Sequence, residues 1–258
     1  MVLADAPMLY LATNAGAAVF ACLMLALGSQ SRDPRRAFPA VAAISVAVLA
    51  ASLFGPGVNN VHRWIALGPV RLHAASLVLP MLLVISPWLD RRAAFAAIAV
   101  AAVLVALQPD KASAAALCAS SLVLLAFDRD RWSLFGFLTT AAALGISTSI
   151  PVSIPPVAFV EHVIGDASAI HPLLSSLMTI SILIAVLAAR AVSGAWTKSG
   201  AAWSACLVAY FLVSIAFPYP TPLLGYGISS ILGFGLALAL LVSLGEQKED
   251  GGAKVELT

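Results

Sequence analysis

The chain has 258 residues, of which 61% are hydrophobic and 10% charged, with a formal net charge of +2 and a mean hydropathy of +1.00. Soluble domains are roughly one-quarter charged, so this composition excludes a soluble globular protein, and the small net charge gives no footing for nucleic acid as a partner. What remains is a protein whose solvent is the lipid bilayer.

In lipid every backbone polar group must be satisfied internally, which leaves helices or a closed β-barrel. Barrel strands alternate apolar and polar residues. The run AAFAAIAVAAVLVAL at 93–107 does not alternate. The sequence therefore predicts an all-α membrane protein, a polytopic helical bundle.

A span needs roughly 20 apolar residues, fewer where it is short and packed among neighbours. In chain order, nine segments qualify: 7–29, 37–54, 71–89, 93–107, 112–127, 132–150, 170–190, 200–217 and 224–244. The fourth and fifth are short, and QPDK at 108–111 between them also permits one broken hairpin. Residues 1–245 read as a single transmembrane domain, and 246–258 as a short cytoplasmic tail.

Cytoplasmic loops retain Lys and Arg. Taking every second connection as one side collects eleven of the fourteen basic residues, among them Arg35, Arg36, Arg91, Arg92, Arg129, Arg131, Arg190 and Lys198; Arg63, Arg71 and Lys111 are left for the other side. The C-terminus is expected in the cytoplasm and, with nine spans, the N-terminus outside. The opening MVLADAP, with an acid and no base, suits that side and lacks the basic region that precedes a cleavable signal.

Cys22, Cys118 and Cys206 lie singly in apolar spans, and His62, His73 and His171 fit no ligand spacing, so no metal site and no disulfide is expected. No phosphate-binding glycine loop, HExxH or GxSxG pattern occurs, and no cofactor is expected. Polar residues concentrate instead at 59–80, 108–111, 149–172 and 217–230. By the alternation of sides, all four segments lie on the outer face, where they can converge on one site.

Three of these segments carry a resemblance. VHRWIALGPVRLHAASLV is similar to the GARRWI-LGP-x-x-FQPSEL segment of the SEDS family (FtsW/RodA/SpoVE), QPDKASAAAL to its QPDLGTAL, and PTPLLGYGISSIL to its LPFISYGGSSLL. The motifs occur in the family's order and cover the chain from about residue 58 onward. The resemblance implies an inner-membrane protein of bacterial cell-wall synthesis that polymerises glycan from lipid II or a related undecaprenyl-diphosphate-linked saccharide, without a cofactor and alongside a class B penicillin-binding-protein-like partner. Family members usually have ten helices, three of them before the RRW segment. Here two precede it, as nine spans require.

The resemblance also marks departures. PVAFVEHVIGDA aligns through VIG at 163–165 with the family's HTDFIFAVIGEE, which puts the family's loop Asp on Ala158 and its first Glu on Asp166. The PSE of the first motif becomes Ala74, Ala75 and Ser76, and the Lys three residues later becomes Leu79. Glycan polymerisation needs a base for the attacking hydroxyl and cations for the departing diphosphate. Ala158 cannot be that base. Glu161, one turn along in a helical register, and Asp166 are the candidate catalytic carboxylates. Arg63, Arg71 and Lys111 are the candidate diphosphate contacts, with Trp64, Gln108, Asp110, Tyr226, Ser229 and Ser230 of the motifs as further substrate contacts. Arg63 with Trp64 also reads as an interfacial anchor, and Asp110 as the N-cap of the following helix. The alternative function is a catalytically degenerate scaffold that binds the lipid precursor or a cell-wall synthase.

Overall fold

The computed structural model describes residues 6–28, 34–68, 70–152, 154, 157–193, 197–225 and 227–253. Among them, helices α1 (Met8–Gly28), α2 (Phe38–Ser52), α3 (Ala74–Ile85), α4 (Arg91–Leu107), α5 (Lys111–Asp128) and α6 (Arg131–Ser149) are followed by the short α7 (Val163–Ile170) and by α8 (Pro172–Ser193), α9 (Lys198–Ala216) and α10 (Ile228–Ala253). Six of these helices are long and apolar enough to cross a membrane. α3 is shorter, with a 3-10 turn at Ser86–Trp88 extending it.

Apolar composition makes the helices, and polar punctuation ends them. Asp90 caps α4 through the N–H groups of Arg92 and Ala93, Asp110 caps α5 through Ser113 and Asp130 caps α6 through Trp132 and Ser133. Each satisfies N–H groups that the first helical turn leaves unbonded. α3, α5 and α9 form the centre, with Leu79, Leu82, Leu83, Leu117, Cys206 and Leu207 fully buried. α1 and α8 lie at the periphery and expose large apolar side chains such as Phe20, Leu23, Leu183 and Ile184, as helices facing lipid tails do.

Two departures from the sequence expectation occur on one side of the bundle. The span expected at 71–89 begins only at Ala74, because residues 57–73 form two antiparallel hairpins: β1 (Gly57–Val58) with β2 (Val61–His62), and β3 (Trp64–Leu67) with β4 (Val70–His73). Asn59 and Asn60, at φ of 51° and 63°, turn the first, a conformation that Asn tolerates. The helix expected through VAFVEHVIG starts only at Val163, because Phe159 and His162 take left-handed φ values of 64° and 57°. Glu161 therefore sits in a loop rather than one helical turn from Ala158. At the far end of the chain, α10 runs on to Ala253, into the segment expected to be a tail.

α4 and α5 are antiparallel, joined through residues 108–110, and this sets the two ends of the molecule. At one end Arg91 pairs with Asp128 and Asp130, and Lys198 pairs with Asp128; Trp88 Nε1 donates to Ser199 Oγ at 3.0 Å. At the other end the hairpins, the α4–α5 turn, the 157–161 loop and the α9–α10 connection come together.

Candidate functional site

The second end carries a cavity of about 420 Å³, in the size range of small-molecule pockets. Its walls are mostly apolar, with Val58, Val157, Val160, Pro222 and Ile228 among them. Polar groups enter from six places: Trp64, Arg71 and His73 from the second hairpin, Ser76 from α3, Glu161 from the loop, Tyr210 from α9, Tyr219 from the α9–α10 connection, and Ser229 and Ser230 from α10. The N-termini of α3, α5 and α10 all open at this cavity, through His73 and Ser76, Ala112, and Gly227 to Ser230. A helix N-terminus carries roughly half a positive charge; that of α5 is offset by its capping carboxylate Asp110, so the ends of α3 and α10, with Arg71 on the wall, are the groups that favour an anion.

Behind the wall lies a buried polar core. Asp110 is fully buried. Its Oδ2 lies 3.1 Å from His73 Nε2, and Ser113 donates to it from both the backbone and Oγ; Ser113 Oγ in turn lies 2.8 Å from the Tyr210 hydroxyl. Burial by itself works to raise the Asp110 carboxyl, but the Arg63 guanidinium and His73 outweigh it and hold the group below the usual carboxylate range. Tyr219 donates no charge here: burial, with Asp110 adding to it, pushes its hydroxyl up to about 12, and that hydroxyl accepts the Lys111 N–H at 3.1 Å.

Arg63 is 4% exposed. Its Nε donates to the Gln108 carbonyl at 3.0 Å, its Nη2 to the Pro109 carbonyl, and its guanidinium lies 5.4 Å from the Tyr219 ring centroid. It belongs to the polar core and not to the cavity lining. Gln108 also points inward, donating to the Leu49 carbonyl and Ser52 Oγ of α2. The ammonium of Lys111 lies 5.8 Å from the Phe217 ring centroid. Asp110 is both the α5 cap foreseen in the sequence and the centre of this network.

Of the residues singled out in the sequence, Trp64, Arg71, Glu161, Ser229 and Ser230 thus line the cavity, while Arg63, Gln108, Asp110 and Lys111 support it from behind. Asp166 is exposed on α7 and is not among the lining residues, and Tyr226 lies outside the described residues. Glu161 is half-buried; its Oε2 accepts the Val157 N–H at 3.1 Å. Burial raises its carboxyl, and that hydrogen bond, His162 and Arg63 only partly offset the rise. The 157–161 loop is fastened by a β-bridge between Glu161 and Pro220 and by the Thr221 N–H donating to the Val160 carbonyl at 3.2 Å.

Sequence reasoning passed over His73, Ser113, Tyr210 and Tyr219. His73 is the central omission: its backbone N–H donates to Ser229 Oγ at 2.7 Å, and its ring meets Asp110, Ser76 and the edge of Trp64. The signal available was its place beside Ser76, the position at which the resembled motif carries its glutamate.

Fold and site define a class, a polytopic helical membrane protein with a mostly apolar cavity at one end of its bundle. The fold is SEDS-like, that of the rod-shape-determining protein RodA. The crystal structure of Thermus thermophilus RodA superposes with a TM-score of 0.65 at 17% identity, over 94% of this chain and 89% of that one. The structure of an aspartate-to-alanine mutant of the same protein gives 0.62 at 18%, over 94% and 90%. No protein-family model and no curated protein matches the sequence.

Proposed function

We propose that this chain is an inner-membrane protein of bacterial cell-wall synthesis, oriented with the cavity on the outer face, and that the cavity takes an undecaprenyl-diphosphate-linked saccharide for addition to a glycan strand. The observation that carries this reading is the convergence of the α3 and α10 N-termini and Arg71 on a cavity whose walls are otherwise mostly apolar. A lipid-linked diphosphate needs both properties at once. Apolar walls receive the first isoprenoid units, and the helix ends with Arg71 receive the diphosphate. Glu161 and the two serines of α10 offer hydrogen bonds to sugar hydroxyls.

In the transfer, a hydroxyl of the acceptor sugar attacks the anomeric carbon of the donor, and the lipid diphosphate departs with the bonding electron pair. The diphosphate gains charge as the bond breaks, so positive helix ends aimed at it are worth most in the transition state. A class B penicillin-binding-protein-like partner fits the same reading.

A second reading has an observation of its own. Ala158 occupies the position of the resembled family's loop Asp, and Asp166 is exposed and is not among the lining residues. A scaffold that binds lipid precursor without transferring it would look like this. Purified protein incubated with fluorescent lipid II, alone and with a penicillin-binding partner, separates the two. Glycan ladders support the polymerase; saturable binding without ladders supports the scaffold; neither binding nor ladders overturns both.

A further inference from the structure

We propose that His73, held by Asp110, is the proton acceptor for the attacking hydroxyl, with the Ser76 hydroxyl as the link between ring and substrate. This rests on the polymerase reading above and deepens it.

The geometry runs in one line. Nε2 of His73 lies 3.1 Å from the buried carboxylate of Asp110, and Nδ1 lies 3.2 Å from Ser76 Oγ. Nδ1 also accepts the Ser76 N–H at 3.2 Å, as the N-cap of α3. An N–H donating to Nδ1 leaves the ring proton on Nε2, where Asp110 accepts it. The ring is thereby fixed in the tautomer that has its lone pair toward Ser76, and both Ser76 and His73 line the cavity. His73 is 15% exposed and anchored at its backbone by Ser229, so its orientation belongs to the packed ends of α3, α5 and α10.

Glu161 is the competing carboxylate. One of its oxygens is committed to the Val157 N–H, and it rides on a loop whose neighbours Phe159 and His162 are left-handed. A catalytic base is better placed on a rigid element than on such a loop. The charged and titratable groups around His73 are Arg63 and Arg71 from the hairpin, Asp110 and Lys111 at the α4–α5 turn, Glu161 from the loop, Tyr210 from α9 and Tyr219 beyond it. Of these, Asp110 is the one in ion-pair contact with the imidazole.

The step balances within the site. The acceptor hydroxyl gives its proton to Ser76 Oγ as the Ser76 hydroxyl proton moves to Nδ1, whose one lone pair must first release the Ser76 N–H that it accepts as the α3 cap. The hydroxyl oxygen bonds to the anomeric carbon, the bond from that carbon to the diphosphate oxygen breaks, and its electron pair leaves on the diphosphate. The imidazolium, stabilised by Asp110, then returns its proton through Ser76 to the departing diphosphate. His73 and Ser76 are catalytic residues in this account, and Asp110 is a positioning residue.

The test is the pH dependence of glycan synthesis from fluorescent lipid II, with lipid II binding and thermal unfolding measured on every variant. Wild type should lose rate toward acid pH as its general base becomes protonated. His73→Gln should bind lipid II and lose roughly 100-fold or more in rate, the ordinary worth of a general base, with the acid limb gone. Asp110→Asn should lower the rate and move that limb, which a purely structural loss would not do. Glu161→Gln should retain the limb. If His73→Gln does not fold, Ser76→Ala, which leaves the cap acceptor in place, should show the loss of rate. Wild-type rate and an unchanged limb in folded His73→Gln, or a limb lost in Glu161→Gln instead, overturns the assignment while the polymerase reading stands. Absence of glycan from wild type with every lipid-linked donor overturns both.

Discussion

The Nε–H of Arg63 donates to the carbonyl oxygen of Gln108 at 3.0 Å, across 45 residues of chain. That bond, with the companion bond to Pro109, makes Arg63 the clamp between the hairpin region and the α4–α5 turn. Arg71, by contrast, is exposed on β4 at the cavity wall. The two arginines look equivalent in sequence and have different work.

Arg63→Ala should therefore destabilise the protein. It removes two hydrogen bonds made by a charged group and leaves the buried Asp110 with less compensation, at a cost of about 3 kcal/mol. Arg71→Ala should leave thermal unfolding nearly unchanged and weaken lipid II binding by more than the roughly 0 to 1 kcal/mol of a surface charge. Unfolding and binding measured on both variants check the division; the reverse pattern would reject it.

Glu161 yields a pH prediction with a definite sign. A carboxyl raised in the folded state favours folding while protonated: its contribution is complete below the ordinary value of 4.5 and is lost as pH rises through the raised value. At neutral pH the charge is carried at a cost. Glu161→Gln should equal or slightly exceed wild type in stability at pH 7, by less than about 1 kcal/mol for a half-exposed group, and the difference should vanish near pH 4.5. Thermal unfolding in detergent at both pH values decides it.

Gly233 lies where α10 crosses α3. A Cβ there would come within 2.1 Å of the Ser76 carbonyl oxygen, which is backbone and cannot swing aside. Gly233→Ala should cost at least the roughly 1 to 3 kcal/mol of an overpacked core, and should disturb the cavity because it pushes on Ser76. Gly16→Ala, which meets nothing within 4 Å, is the matched control, and should be neutral or slightly stabilising. Equal unfolding temperatures for the two variants would contradict the packing.

The topology is testable independently. Arg91, Asp128 and Lys198 lie at the end opposite the cavity. Membrane-impermeant labelling of single cysteines should reach an Arg71→Cys variant from outside and an Arg129→Cys variant only from the cytoplasm. Reporter fusions should place the N-terminus outside and the C-terminus inside.

The helices were legible because hydropathy and capping residues speak locally: Asp90, Asp110 and Asp130 each stand immediately before a helix. The hairpins at 57–73 were not, since strands of two to four residues are too short for period-two patterning to register. That Arg71, Glu161, Ser229 and Ser230 come together around one cavity was legible because the resembled motifs pointed at their segments. The inward role of Arg63 was hidden, because it stands between β2 and β3, outside both strands, and its direction is set by the Gln108 and Pro109 carbonyls far along the chain. The pairing of His73 with Asp110 was hidden for a related reason: it joins a strand end to a helix cap, and no local spacing records that meeting.

The 157–161 loop has a consequence for how a ligand could come and go. One wall of the cavity is held by a β-bridge with its bond from Thr221 to Val160 and by the edge contact of Phe159 with Tyr10, while the other walls are the second hairpin, the α9–α10 connection and ends of packed helices. Releasing two backbone hydrogen bonds costs roughly 1 to 3 kcal/mol net, which corresponds to an open fraction of about one in six to one in a hundred and sixty. On the proposed reading, a ligand would pass at this loop while the bundle stays in place. Substitutions at 157–161 should then change how long a ligand stays bound more than they change what the packed helix ends do.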